Sequence, residues 1–136
     1  MTFPIIYAEE LLRELEKPDI FIIDIRGSMS GPAAGALLYE TSHLPGAVKL
    51  EFSTDLISKP TLTSGRSPLP ERETLVEKLR RLGLNKRSRV VIYDEGRLNL
   101  APRAWFTLRW LGHDAVQVLE GGFRRWTALG FPGTDA

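Results

Sequence analysis

Residues 90–105 read VVIYDEGRLNLAPRAW and place three structural signals next to one another. Val90–Tyr93 is an apolar run rich in β-branched residues, which is typical of a strand buried on both faces in a parallel sheet. A short polar loop begins at Asp94, and residues 101–105 have the pattern of a helix start. A strand, a tight loop and a helix N-terminus together form a common position for an active-site nucleophile.

The same alternation of strands and helices extends outward through the chain. Apolar runs predict strands over Ile20–Ile25, Ala47–Leu50, Arg89–Tyr93 and Val116–Leu119. Helical spacing and glycine stops predict helices over Ala8–Lys17, Glu71–Leu82, Ala101–Leu111 and Phe123–Leu129, with a helical turn over Ala33–Tyr39. Lys59–Pro70, rich in proline, is predicted to be a loop. This order predicts one α/β domain over residues 1–136, with a largely parallel sheet and helices on both faces.

Composition narrows the range of functions. The 136 residues suit a single domain, and the net charge of +1 gives no indication of a nucleic-acid or anionic-membrane partner. No apolar run is long enough to span a membrane. The chain has no cysteine and only two histidines, so we expect no disulfide, no thiolate metal site and no cofactor. A reducing cytoplasm is compatible with this usage, and we expect a cytoplasmic location.

Several motifs together resemble the rhodanese family of sulfurtransferases. The matching stretches are Ile23–Arg26, His43–Val48, Val90–Asp94, Ala101–Trp105, Leu111–His113 and Val118–Trp126. They occur in the family's order and cover nearly the whole chain. The resemblance implies a three-layer rhodanese-like α/β domain.

The resemblance also implies a missing reactive atom. Active rhodaneses carry a cysteine directly after the strand that corresponds to Arg89–Tyr93 and hold a persulfide on it, whereas this chain has Asp94 there. Tandem thiosulfate or 3-mercaptopyruvate sulfurtransferases resemble two such domains in series, the first with aspartate in place of the cysteine. We therefore expect a catalytically inactive N-terminal half, whose partner is the C-terminal rhodanese domain of the same parent chain, because the sequence ends soon after Phe131-Pro132-Gly133.

Asp94 is expected to have a structural role in place of a catalytic one. Amides of a loop that enters a helix form an anion-binding cradle, and a carboxylate can accept their hydrogen bonds and cap the helix for about 1 kcal/mol. The active-site-like loop comprises Asp94, Glu95, Gly96, Arg97, Leu98, Asn99 and Leu100.

Other interpretations of the site residues stay open at this point. Asp24 and Arg103 are predicted to form a structural salt bridge between neighbouring loops, although Arg103 could instead hold an anion. Anionic substrates could be attracted by Arg26, Arg97, Arg124 and Arg125. For Arg124 and Arg125 the pattern favours a solvated helix face instead. Trp110 could be an exposed contact for a partner domain.

Three classes of function are consistent with the sequence. The first is the non-catalytic half of a sulfurtransferase, and the second is a stand-alone rhodanese-like binding or regulatory module. The third is an enzyme that uses Asp94. Phosphotransferases with such an aspartate hold Mg²⁺ with a second carboxylate two residues later, where this chain has Gly96. An exposed apolar patch around Trp110 or Phe131 would favour the first class over the second.

Overall fold

A computed structural model describes residues 4–27, 33–58, 69–96 and 100–136. Five strands and six helices occur along these residues. They are β1 (Ile5–Ile6), α1 (Ala8–Glu14), β2 (Ile20–Asp24), α2 (Ala33–Thr41), β3 (Val48–Lys49), α3 (Phe52–Asp55), α4 (Arg72–Leu82), β4 (Arg89–Tyr93), α5 (Ala101–Trp110), β5 (Val116–Leu119) and α6 (Gly122–Ala128). The predicted strands at β4 and β5 have the bounds that the apolar runs indicated.

The five strands form one parallel sheet in the order β1-β5-β4-β2-β3. β4 and β2 lie side by side at its centre, with Tyr93 opposite Asp24. Both central strands are almost wholly buried, which explains why they are apolar without alternation. The carboxyl ends of β2 and β4 therefore meet at one edge of the sheet, and the loops that follow them are neighbours.

Helices cover both faces of the sheet, as the predicted three-layer architecture requires. Alternate strand residues supply the two cores: Ile23 and Ile92 face one helix layer, whereas Ile22 and Val91 face the other. The first core includes side chains of α3, α4 and α5, and the second includes side chains of α1, α2 and α6. Trp126 is completely buried in the second core, and its indole N–H donates to the Pro132 carbonyl at 2.7 Å.

Some predicted boundaries differ from the observed ones. The helix predicted over Ala8–Lys17 ends at Glu14, whereas the helical turn predicted over Ala33–Tyr39 is a helix that continues to Thr41. The strands β1 and β3 are two residues long and exist as strands because they pair with β5 and β2. Most of the predicted loop Lys59–Pro70 lies outside the described residues.

The helices α4 and α5 end in the same backbone motif. Residues 79–84 read LRRLGL and residues 108–113 read LRWLGH. In each, the glycine has positive φ (115° and 97°) and its amide bonds to the carbonyl three residues earlier. The next amide, of Leu84 or His113, bonds to the carbonyl five residues earlier at 3.0 Å. Both ends are thus Schellman motifs, which place the residue after the glycine over the last helical turn.

Within the described part of the chain, no helix combines the length and the apolar character that crossing a membrane requires.

Candidate functional site

Asp94 lies at the carboxyl edge of the sheet, directly after β4, and is 1% exposed. One carboxylate oxygen, Oδ1, accepts a hydrogen bond from the Gly96 amide at 2.8 Å. The other, Oδ2, accepts from the buried amide of Ala101, the first residue of α5, at 3.0 Å. The side chain of Asp94 therefore ties the beginning of its loop to the helix that the loop enters. Arg97, Leu98 and Asn99 of the predicted loop lie outside the described residues.

The loop is also held from the other side by the start of α6. The amides of Phe123 and Arg124 donate to the carbonyls of Asp94 and Glu95 at 2.9 and 3.0 Å. Gly122 has φ of +56°, and a Cβ there would lie 2.6 Å from the Asp94 carbonyl oxygen. The close approach of the two backbones accordingly requires glycine at position 122.

Asp24, one strand away, is the centre of a buried polar cluster. The Arg26 guanidinium donates to its Oδ2 at 2.8 Å (from Nη2) and 3.0 Å (from Nε), and the Arg26 amide donates to Oδ1 at 2.9 Å. Lys49 Nζ lies 3.4 Å from Oδ1. Because Asp24 is completely buried, these charged and hydrogen-bonding partners replace the water that its carboxylate loses on folding.

The predicted salt bridge between Asp24 and Arg103 is corrected by this geometry. Among the described residues, the cations within ion-pairing distance of Asp24 are Arg26 and Lys49. Arg26 pairs with Asp24 because the chain turns back at the end of β2, which brings the guanidinium onto the carboxylate two residues earlier. The Arg103 guanidinium instead lies 5.6 Å from the ring centre of Phe52.

Arg26 is built into the fold and is 2% exposed. Its guanidinium lies 3.9 Å from the ring centre of Phe123, and Nη2 also donates to the Ser42 carbonyl at 2.6 Å. The Arg26 guanidinium, which could have attracted anionic substrates, is thus engaged in contacts within the fold. Glu95, half-exposed above it, approaches Arg26 Nη1 to 4.0 Å.

Tyr93 joins the two strand ends. Its hydroxyl donates to Asp24 Oδ2 at 2.7 Å and accepts from the Leu44 amide at 3.1 Å. Burial of the phenol raises the pKa of Tyr93 far above its ordinary value, and the negative charge and hydrogen bond of Asp24 raise it further. Tyr93 therefore remains a neutral hydrogen-bond donor, a role that the apolar pattern of its strand did not indicate.

A second carboxylate, Glu51, lies at the margin of the cluster. Its Oε1 is 3.5 Å from Lys49 Nζ, and this oxygen has no hydrogen-bond partner among the described residues. Burial raises the pKa of Glu51 against the opposing effect of the Lys49 charge. Lys49 is the last residue of the two-residue strand β3, and Glu51 follows that strand, so periodicity alone could not have connected them with Asp24.

The other polar side chains of the sequence motifs pack within the fold or face solvent. His43 is buried, stacks on Tyr39 with ring centres 3.7 Å apart, and shares a hydrogen bond with the Tyr39 carbonyl. Arg124 and Arg125 are exposed on α6, as a solvated helix face predicts. No cluster of three or more histidine, aspartate or glutamate side chains suited to a metal ion occurs within residues 4–27, 33–58, 69–96 and 100–136.

The Rhodanese-like domain family matches residues 7–129. This chain belongs to that family. The rhodanese-like domain thus spans every described element from α1 to α6.

Relatives in sequence are sulfurtransferases. The chain is 40% identical over 131 residues to a protein of Pseudomonas aeruginosa named as a probable 3-mercaptopyruvate sulfurtransferase, a match that covers 94% of this chain and 46% of the relative. It is 36% identical over 125 residues to the 3-mercaptopyruvate sulfurtransferase of Escherichia coli K12, covering 88% of this chain and 42% of that protein. The chain therefore spans about half the length of the curated relatives it matches.

Solved structures agree with the fold. A crystal structure of a 3-mercaptopyruvate sulfotransferase from Escherichia coli superposes with a TM-score of 0.82 at 32% identity, over 98% of this rhodanese-like domain and 52% of that chain. The 3-mercaptopyruvate sulfurtransferase of Leishmania major superposes with a TM-score of 0.83 at 25% identity, over 96% of this domain and 35% of that chain.

Proposed function

We propose that this rhodanese-like domain is the non-catalytic N-terminal half of a two-domain sulfurtransferase of the 3-mercaptopyruvate or thiosulfate class. The observation that carries the proposal is Asp94: a buried carboxylate, with both oxygens hydrogen-bonded, at the position where active family members are expected to hold a cysteine. Family membership supports the sulfurtransferase class, and the half-length match to relatives supports a second domain.

The chemistry of sulfur transfer supports an inactive role for this half. A persulfide forms when a thiolate attacks the donor's sulfur atom and breaks the bond that joins it to the rest of the donor, which leaves as sulfite from thiosulfate or as pyruvate from 3-mercaptopyruvate. The acceptor then attacks the same sulfur and releases the thiolate. The chain contains no cysteine, and a carboxylate is a hard and weak nucleophile toward sulfur. In addition, the amides of Gly96, within the loop, and of Ala101, directly after it, donate to Asp94. We therefore infer that Asp94 holds the loop in shape without a bound anion.

An exposed aromatic pair on α5 offers a face for the second domain. Phe106 and Trp110 are 53% and 37% exposed and lie four residues apart, so they share one side of the helix. The Arg72 guanidinium lies 5.5 Å from the ring centre of Trp110 and donates to the carbonyls of Trp110 and Leu111. Aromatic and arginine side chains are enriched at protein interfaces, which favours a partner-covered half over a stand-alone module.

The stand-alone binding or regulatory module is the alternative. It requires that Phe106 and Trp110 remain solvent-exposed in the natural protein. The third class, an enzyme that uses Asp94, is disfavoured because Asp94 is 1% exposed and accepts an amide hydrogen bond on each oxygen. In addition, position 96, where a phosphotransferase of this kind would hold its second carboxylate, is glycine.

The proposal is tested by sulfur transfer to cyanide, with thiocyanate as the readout. We expect no thiocyanate above the protein-free blank from this chain with either 3-mercaptopyruvate or thiosulfate. The parent protein, isolated from its natural reading frame, is expected to be active. Replacement of the cysteine in its second domain by serine should abolish that activity, whereas Asp94→Asn should retain it in the fraction that folds.

Two outcomes would overturn the proposal. Thiocyanate formation by this chain alone would require a nucleophile other than cysteine. A reading frame that encodes no further rhodanese-like domain would leave the stand-alone module as the better interpretation.

A further inference from the structure

An apolar notch lies between the two Schellman ends of α4 and α5, at the amino edge of the sheet and opposite to Asp94. It encloses about 250 Å³. The side chains and backbone that line it come from the two helix ends and the turn that follows α4: Val76, Leu79, Arg80, Leu84, Asn85, Lys86, Leu108, Leu111, Gly112 and His113. The fold creates the notch because two helices with the same terminal motif stop side by side.

The floor of the notch is aliphatic. Leu79 and Leu108, the residues whose carbonyls accept the last amide of each motif, are buried beneath it. Val76, Leu84 and Leu111 are partly exposed and form the accessible surface. One apolar side chain of a partner could therefore pack against these three residues.

The rim of the notch is cationic and unpaired. Arg80 and Lys86 are exposed, and no aspartate or glutamate is among the residues that line the notch. Within the described ranges, neither cation has an acidic partner, whereas Lys78 on the same helix pairs with Asp55 at 2.7 Å. The C-terminal dipole of α4 accounts for Arg80, but Lys86 lies four residues beyond the helix end.

The notch continues along α4 as a shallower groove. A second space, of about 590 Å³, shares Val76, Arg80 and Leu111 with it and extends to Arg72. Glu73 and Glu77 border this second space. Cationic side chains without a neighbouring carboxylate therefore occur at the notch and not along the groove. The notch is smaller than the pockets of about 300–1,000 Å³ that hold drug-sized molecules, and it opens onto a groove. These features fit an extended segment better than a free small molecule.

We propose that the notch binds a short acidic segment of a partner protein. One leucine- or phenylalanine-sized side chain of the segment packs on Val76, Leu84 and Leu111. Its flanking carboxylates pair with Arg80 and Lys86. This site is independent of Asp94 and of the proposed sulfurtransferase role.

The test titrates the synthetic peptide EEDLFEE into the isotopically labelled chain and follows backbone amide signals by nuclear magnetic resonance. We expect saturable shifts centred on Leu84, Gly112 and His113. The peptides KKKLFKK and EEDSSEE, which lack the acidic or the apolar element, are expected to bind at least about tenfold more weakly, a factor that corresponds to about 1.4 kcal/mol.

Matched charge reversals locate the binding site. The double variant Arg80→Glu, Lys86→Glu should weaken binding about tenfold or more, because two attractive contacts become repulsive. The double variant Arg81→Glu, Arg87→Glu makes the same charge change on neighbouring exposed residues outside the notch, and it should change affinity less than about threefold. Circular dichroism establishes that both variants fold.

The proposal is overturned if the peptide shifts signals elsewhere, if both double variants weaken binding equally, or if no saturation occurs up to millimolar peptide. Binding of octanoate at the same amides with equal affinity would assign the notch to a small apolar acid. A concentration-dependent dimer that Arg80→Glu, Lys86→Glu disrupts would assign it to a second copy of the chain.

Discussion

Replacement of Asp94 by alanine is the most direct measure of what this side chain does. The substitution removes two hydrogen bonds to a carboxylate, one from the Gly96 amide at 2.8 Å and one from the Ala101 amide at 3.0 Å. A hydrogen bond to a charged group contributes about 1.5–3 kcal/mol. The Gly96 amide is near the surface and can bind water in the variant, whereas the Ala101 amide is buried and cannot. We therefore expect Asp94→Ala to lower the free energy of unfolding by about 2–4 kcal/mol.

This expectation exceeds the loss of about 1 kcal/mol that a single helix cap implies. Asp94→Asn keeps one acceptor oxygen but turns an amide donor toward the other N–H, so about half of the loss should remain. The control is Glu95→Ala, the adjacent and half-exposed acid, which should change stability by less than about 0.5 kcal/mol. Urea unfolding at neutral pH, followed by two-state analysis, measures all three. A loss below about 1 kcal/mol for Asp94→Ala would refute the reasoning that both hydrogen bonds of Asp94 stabilise the fold, and it would leave at most the effect of a single helix cap.

Two further substitutions test the cluster at the ends of β2 and β4. Arg26→Met leaves the buried Asp24 carboxylate with Lys49 as its remaining cation, so the free energy of unfolding should fall by about 3–5 kcal/mol. The control is Arg124→Met at an exposed position, which should change the free energy of unfolding by less than about 0.5 kcal/mol. A small loss for Arg26→Met in urea unfolding would contradict the importance of this ion pair. Burial raises the pKa of Tyr93 in the folded chain. In the unfolded chain the phenol therefore ionises first, near pH 10. The stability that Tyr93 contributes should be lost as the pH rises from about 10 toward the pKa of the folded state. Tyr93→Phe should cost about 1–3 kcal/mol at pH 7, and the difference from the unmodified chain should shrink above about pH 10; a constant difference up to pH 11 would argue against a raised pKa.

Much of the architecture follows from local pattern. The strands at 89–93 and 116–119 were predicted with their observed bounds, because apolar runs between turn residues have one stable solution in a parallel sheet. Glycine stops at Gly83 and Gly112 predicted the ends of two helices to within one residue, because positive φ at these positions is a local requirement. The strand predicted over Ala47–Leu50 contains the observed β3. The two-residue strand β1 and the four-residue helix α3 were not predicted, since such short elements depend on neighbours that are distant in sequence.

The sequence by itself determined that position 94 carries a carboxylate and that no thiol exists in the chain, because residue identity requires no folding. Tertiary structure alone decided which groups that carboxylate binds, since the Ala101 amide reaches Asp94 only when the loop closes. It also decided the partner of Asp24. Arg26 follows the end of β2 and Arg103 lies in the first turn of α5, but only the course of the backbone after β2 brings a guanidinium, that of Arg26, onto the buried carboxylate. Ion pairs in a core depend on geometry at the scale of an ångström, which residue spacing does not contain.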